Sequence, residues 1–112
     1  MRTRRPRLGG PERLTPTQAR ALARALLLAE GYTLVAEGVR SSSLYLRAPG
    51  AVQQIRIADH ARTPRRRQQY PHVVASLILA SPLSEALVRE RVAGALRVVA
   101  AAQAAAVRAR AP

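Results

Sequence analysis

Apolar residues between Thr15 and Ala29 recur at helical spacing. Ala19, Leu22, Ala23, Leu26 and Ala29 form one stripe, Leu27 and Leu28 widen it, and Arg20 and Arg24 stand one turn apart. Thr15-Pro16-Thr17-Gln18 supplies an N-cap hydroxyl, a proline at the first helical position and a capping-box glutamine. Gly31 is the expected stop, because glycine takes the left-handed conformation that closes helices. The period then changes to two. Tyr32 to Glu37, Ser42 to Ala48 and Val52 to Ala58 read as strands, the last two joined through Pro49-Gly50. Alternation assigns Leu44, Leu46, Ile55 and Ile57 to an inner face. Ser43, Tyr45, Arg47, Gln54 and Arg56 fall on the outer one. Val73 to Leu79, bounded by Pro71 and Pro82, reads as a fourth strand, with a buried helix as the competing assignment. One helical turn after Pro64 is also allowed.

A final helix starts at Ser81 or Ser84, with Ser81-Pro82 the better cap pair and Glu85 near the positive helix end. Val88, Val92, Ala95, Val99, Ala102 and Ala106 repeat in steps of four and three, a heptad-like seam. The stretch from Ala100 to Ala109 is nearly all alanine. It favours helix but buries little area, so it runs into solvent or meets a partner's helix. The pattern predicts an α+β domain of order α-β-β-β-(β)-α over residues 15–108. An antiparallel sheet of three or four strands carries both helices on one face, through Leu22, Leu26, Leu44, Leu46, Ile55, Ile57, Leu87 and Val92. Residues 1–14 read as a disordered basic arm and 109–112 as a tail.

Charge changes this picture most. Nineteen basic residues, every one an arginine, stand against six acids, a formal charge of +13 on 112 residues. Lysine, asparagine, cysteine, phenylalanine and tryptophan are missing, a bias typical of GC-rich coding. The charge remains a physical fact, and it repels itself unless anions lie near. Nucleic-acid phosphate is the commonest such partner, and a guanidinium fork suits it. The candidate contacts are Arg2, Arg4, Arg5 and Arg7 in the arm, Arg47 and Arg56 on the outer sheet face, and Arg62, Arg65, Arg66 and Arg67 in the connection before Gln68-Gln69-Tyr70. Ser43 within Ser41-Ser42-Ser43, Tyr45 and His60 join them as phosphate or base contacts. Tyr70 is a second candidate for base stacking, and Tyr32 is assigned to the core.

Catalytic and metal chemistry find little support. Asp59 and His60 are adjacent, and neighbours on a strand point to opposite faces, so their side chains are not expected to meet. No H-x-x-H or H-x-x-x-H pair, Gly-x-Ser-x-Gly elbow or glycine-rich phosphate loop occurs, so no catalytic residue, metal ligand or cofactor is assigned. Without cysteine there is no disulfide. Apolar runs are short and no secretory signal follows the basic N-terminus, which points to a cytoplasmic protein without a membrane span.

Ala29-Glu30-Gly31-Tyr32-Thr33-Leu34-Val35, Ser41-Ser42-Ser43-Leu44-Tyr45-Leu46-Arg47, the Pro49-Gly50 hairpin and Ile55-Arg56-Ile57-Ala58-Asp59-His60 occur in this order. Residues 15–60 thereby resemble the helix and three strands of HicA-type toxins, small mRNA-directed proteins with a double-stranded-RNA-binding-domain-like fold. That family carries Gly-Ser-His, with a catalytic histidine, at the start of its second strand. The matching place here reads Ser41-Ser42-Ser43. The resemblance therefore implies the topology and an RNA- or DNA-facing surface, without the nuclease activity.

The sequence reading is a small, non-enzymatic nucleic-acid-binding protein of low sequence specificity, for DNA or RNA. A rival is a phage or mobile-element inhibitor or accessory factor. It would bind a protein partner, or a second copy, through the alanine-rich helix. A second rival is a small HicA-type ribonuclease using His60.

Overall fold

The computed structural model describes residues 12–38 and 43–110. The first helix, α1 (Pro16–Ala29), begins as the capping box dictates. The Gln18 N–H donates to Thr15 Oγ1 at 3.1 Å, and the Thr15 N–H donates to Gln18 Oε1 at 2.9 Å. It ends in a Schellman motif. Gly31 has φ of 90° and its N–H donates to the Leu28 carbonyl, while the Tyr32 N–H reaches back to Leu27. Tyr32 and Leu27 are both buried in the core, which gives this cap its hydrophobic contact.

Strands β2 (Thr33–Glu37), β3 (Leu44–Arg47) and β4 (Gln54–Ala58) form an antiparallel meander, with Gly50 at φ of 64° in the β3–β4 turn. Tyr45 pairs with Arg56, Leu46 with Ile55 and Arg47 with Gln54. The short helix α2 (Pro64–Gln69) and strand β5 (Val73–Ile78) follow. The α+β class is as expected, but the fourth strand corrects the antiparallel sheet. β5 pairs with β4 in parallel, giving a mixed sheet of order β2-β3-β4-β5. A hairpin cannot make a parallel pair. The chain must return to the strand's starting end, and the connection through α2 provides that crossover.

The N-terminal boundary also moves. Arg13–Leu14 is a short strand, β1, paired antiparallel with β6 (Leu83–Ser84), so the end of the predicted arm belongs to the folded domain. Arg13 Nη1 further donates to the Pro82 carbonyl. β6 occupies what would be the first turn of a helix capped by Ser81-Pro82. Ser84 takes that role, its Oγ accepting from the Leu87 N–H at 3.1 Å, and α3 runs over Glu85–Arg110, past the expected end at residue 108.

Both long helices cover one sheet face, as expected. Leu46, Ile55, Ile57 and Val92 are buried, whereas Leu22, Leu26, Leu44 and Leu87 only flank the core. The inward stripe of α1 is Ala19, Ala23 and Leu27. Its small alanines let the helix lie close to its neighbours, which turns Leu22 and Leu26 to the margin. Val88, Val92, Ala95 and Val99 of the α3 seam are buried within this chain, while Ala102 and Ala106 are half-buried. By length and composition alone α3 is apolar enough to cross a membrane. Here its valine seam lies on the sheet.

Candidate nucleic-acid interface

The second sheet face is where charge and fold meet. β4 is buried along Ile55, Arg56, Ile57 and Ala58, so it has cover on both sides. Alternation alone left Ser43, Tyr45 and Arg56 on an outer face. They do share that face, but they are 4%, 8% and 1% exposed. The crossover made necessary by parallel β5 is the physical reason. Tyr70, just after α2, stacks on Tyr45 with ring centroids 4.9 Å apart and planes 24° apart. The two tyrosines therefore pack on each other, and Tyr45 is not an open platform for bases.

Arg56 lies beneath this cover. Its Nη2 donates to Ser43 Oγ at 3.2 Å and contacts His60 Nε2 at 3.4 Å. Its Nε and Nη1 are buried and, among the described residues, have no hydrogen-bond partner. His60 Nδ1 lies 2.7 Å from Asp59 Oδ1. Because arginine only donates, His60 Nε2 must accept, which puts the imidazole proton on Nδ1, facing Asp59. The expectation that Asp59 and His60 stay apart is thus corrected. β4 ends at Ala58, and strand alternation no longer governs the two residues after it. Both side chains are about half exposed, at 44% for Asp59 and 56% for His60.

Two further guanidiniums adjoin the buried one. Arg62 Nη1 donates to the Tyr70 carbonyl at 3.5 Å, and Arg67 Nη1 donates to the Arg62 carbonyl at 2.9 Å. Burial lowers the Arg62 pKa, and the neighbouring charges of Arg56 and, more weakly, Arg67 lower it further; Tyr45 acts the other way. Among the described residues, no ion pair involves Arg56, Arg62 or Arg67. On the other layer, Arg89 of α3 is paired with Glu85 at 2.8 Å.

The remaining predicted contacts divide simply. Arg47, Arg65 and Arg67 are exposed, and Arg62 is half-buried. Arg2, Arg4, Arg5 and Arg7 lie outside the described residues, as does the Arg66 side chain. Arginine also decorates the helical layer, where Arg24, Arg91, Arg97, Arg108 and Arg110 are exposed. The crossover cluster differs from these in that Arg56 is buried and Arg62 half-buried. Sequence reasoning missed the Tyr45–Tyr70 stack and the Asp59–His60 contact. The available signal for both was the length of the 59–72 segment, ample for a crossover. No family model, characterised protein or solved structure matches this chain.

Proposed function

We propose that this protein is a small cytoplasmic nucleic-acid-binding protein that grips the phosphate backbone without catalysing a reaction. The supporting observation is the gathering of Arg56, Arg62 and Arg67 on one sheet face with, among the described residues, no carboxylate paired to any of them. Like charges held together in partly buried positions repel, and a row of phosphates relieves that repulsion while releasing its own counterions. Exposed Arg47, Arg65 and Arg67, with half-buried Arg62, supply the reach to backbone oxygens, joined by Arg66 and the N-terminal arginines. Backbone contacts carry no base information, so discrimination between sequences is low. Replacing Arg65, Arg66 and Arg67 together with alanine should flatten the dependence of log K on log salt. The change is about 2–3 slope units at about 0.7–0.9 per lost phosphate contact. An unchanged slope removes the α2 arginines from the interface.

One observation favours a second reading, a small ribonuclease. Asp59 fixes the His60 imidazole in the Nδ1–H tautomer, leaving Nε2 as the basic nitrogen beside a guanidinium. On this reading RNA is cleaved by the purified protein and the H60A variant loses that turnover. RNA that stays intact in both preparations leaves the binding reading alone.

A further inference from the structure

The central sheet has two edges, and they are finished differently. β2 ends one side with a bulge between Leu34 and Ala36 and an acidic Glu37 at its tip. Such features blunt an edge against further pairing. β5 ends the other side, and Val73–Ile78 holds neither a charge nor a proline. Its one irregularity is at the start, where Gln54 faces Val73 and Ile55 faces Ala75. From there to Ala58 opposite Ile78 the register is unbroken. Backbone groups along a parallel strand turn alternately to one neighbour and to the other. The Leu79 N–H donates to the Ala58 carbonyl at 2.8 Å, so Leu79 and Leu77 address β4, and Ser76 and Ile78 address the open side. Among the described residues no backbone group meets Ser76 or Ile78 there.

A groove of about 500 Å³ runs along this edge, lined by residues 74–78 in succession and by Arg91, Ala95 and Val98 of α3. Consecutive strand residues point to opposite faces, so a groove that touches all five looks at the edge of the strand. Its apolar wall is α3, where Val98 is 45% exposed beside the buried Ala95. Arg91 is exposed two turns before Val98, about 10 Å along the helix. We propose that β5 accepts an extended acidic segment of a protein partner as a fifth strand of the central sheet. The segment's backbone pairs with Ser76 and Ile78, and an apolar side chain covers Val98. A carboxylate roughly two to four residues away on the same face meets Arg91. Charge selects this occupant. A second copy brings a further +13 to the same edge, whereas an acidic segment is drawn to it. The site lies apart from the crossover arginines and does not depend on the nucleic-acid reading.

The probe is a short synthetic threonine-rich peptide carrying two valines and a glutamate at successive same-face positions. Titrated into the 112-residue chain, it should slow amide hydrogen exchange at Ser76 and Ile78 by about tenfold or more. Leu77 and Leu79, whose amides face β4, should change little. N-methylation of one alternate set of the peptide's amides should weaken binding about tenfold or more, and N-methylation of the other set should be tolerated. The two methylated peptides carry the same charge, so they separate strand addition from simple attraction to a basic protein. R91E should weaken the glutamate peptide about fivefold or more, and a peptide with lysine in that place should bind R91E better than the wild type. S76P removes an outward N–H without touching the ladder to β4, and it should weaken binding too. Should S76P fail to fold, the methylated peptides on the wild type decide the matter.

Absence of binding, or binding that leaves exchange at Ser76 and Ile78 unchanged, overturns the proposal. Equal affinity for the two methylated peptides overturns it as well. Protection of the same two amides by rising protein concentration alone, with a dimer seen in sedimentation, gives the edge to a second copy and overturns the acidic partner.

Discussion

The two faces of the central sheet are built from the same strands but by opposite physics. On one, Leu46, Ile55 and Ile57 meet Ala19, Ala23, Leu27, Val88 and Val92, and hydrocarbon leaves water with nothing polar stranded. On the other, Ser43, Tyr45 and Arg56 are nearly as well buried, yet they bring a hydroxyl, a phenol and a guanidinium with two orphan donors. Burial of the first kind stabilises the fold outright. Burial of the second kind costs stability unless each polar group is satisfied. A protein with so small a core has little reason to keep such an arginine for packing alone. The comparison therefore separates a face buried in hydrocarbon from a face that buries polar groups with incomplete hydrogen bonding.

Substitutions on adjacent strands can break this contrast. The largest effect is expected for L46A on the apolar face, which deletes a fully buried side chain and should destabilise by about 2–5 kcal/mol in denaturant unfolding. Y70A on the opposite face removes a half-buried ring and its stack on Tyr45, a loss of about 1–3 kcal/mol by the same measurement. The smallest expected destabilisation is that of R56M. Although Arg56 is as buried as Leu46, its stability in the absence of anion should stay within about 1 kcal/mol of the wild type or increase. A loss in R56M as large as that in L46A would erase the distinction between the faces and make Arg56 an ordinary structural residue.

How legible these two faces were in the chain follows from the range of the interactions that make them. The cap at Thr15, the stop at Gly31 and the Pro49-Gly50 turn are decided within a few residues, and they stand where local chemistry puts them. The apolar face followed from alternation, because Leu44, Leu46, Ile55 and Ile57 keep period two. The polar face was identified by the same alternation in its membership but not in its burial. Whether Arg56 sees water depends on where the chain goes after His60, and no local pattern encodes a parallel return. β1 and β6 escaped for a related reason. Strands of two residues have no period, and Arg13–Leu14 is a strand only because Leu83–Ser84 lies beside it. Small residues mislead in the opposite sense. Leu22 and Leu26 look like the buried stripe of α1, but Ala19 and Ala23 make the closest approach. The Asp59–His60 pairing was hidden by extending strand geometry two residues too far.

Charge was visible from the start, but its arrangement was not. Composition gives +13, and the exposed arginines on both layers express it. Only the folded chain distinguishes Arg89, paired with Glu85, from the crossover arginines that have carbonyls and each other for company.

The most direct test of this account is a salt titration of the 112-residue chain against matched RNA and DNA probes. We predict tight binding in dilute buffer that weakens steeply with salt, with a log–log slope of about −3 or steeper, from four or more phosphate contacts at about 0.7–0.9 each. No binding to either probe even at low ionic strength, or an affinity indifferent to salt, would contradict it.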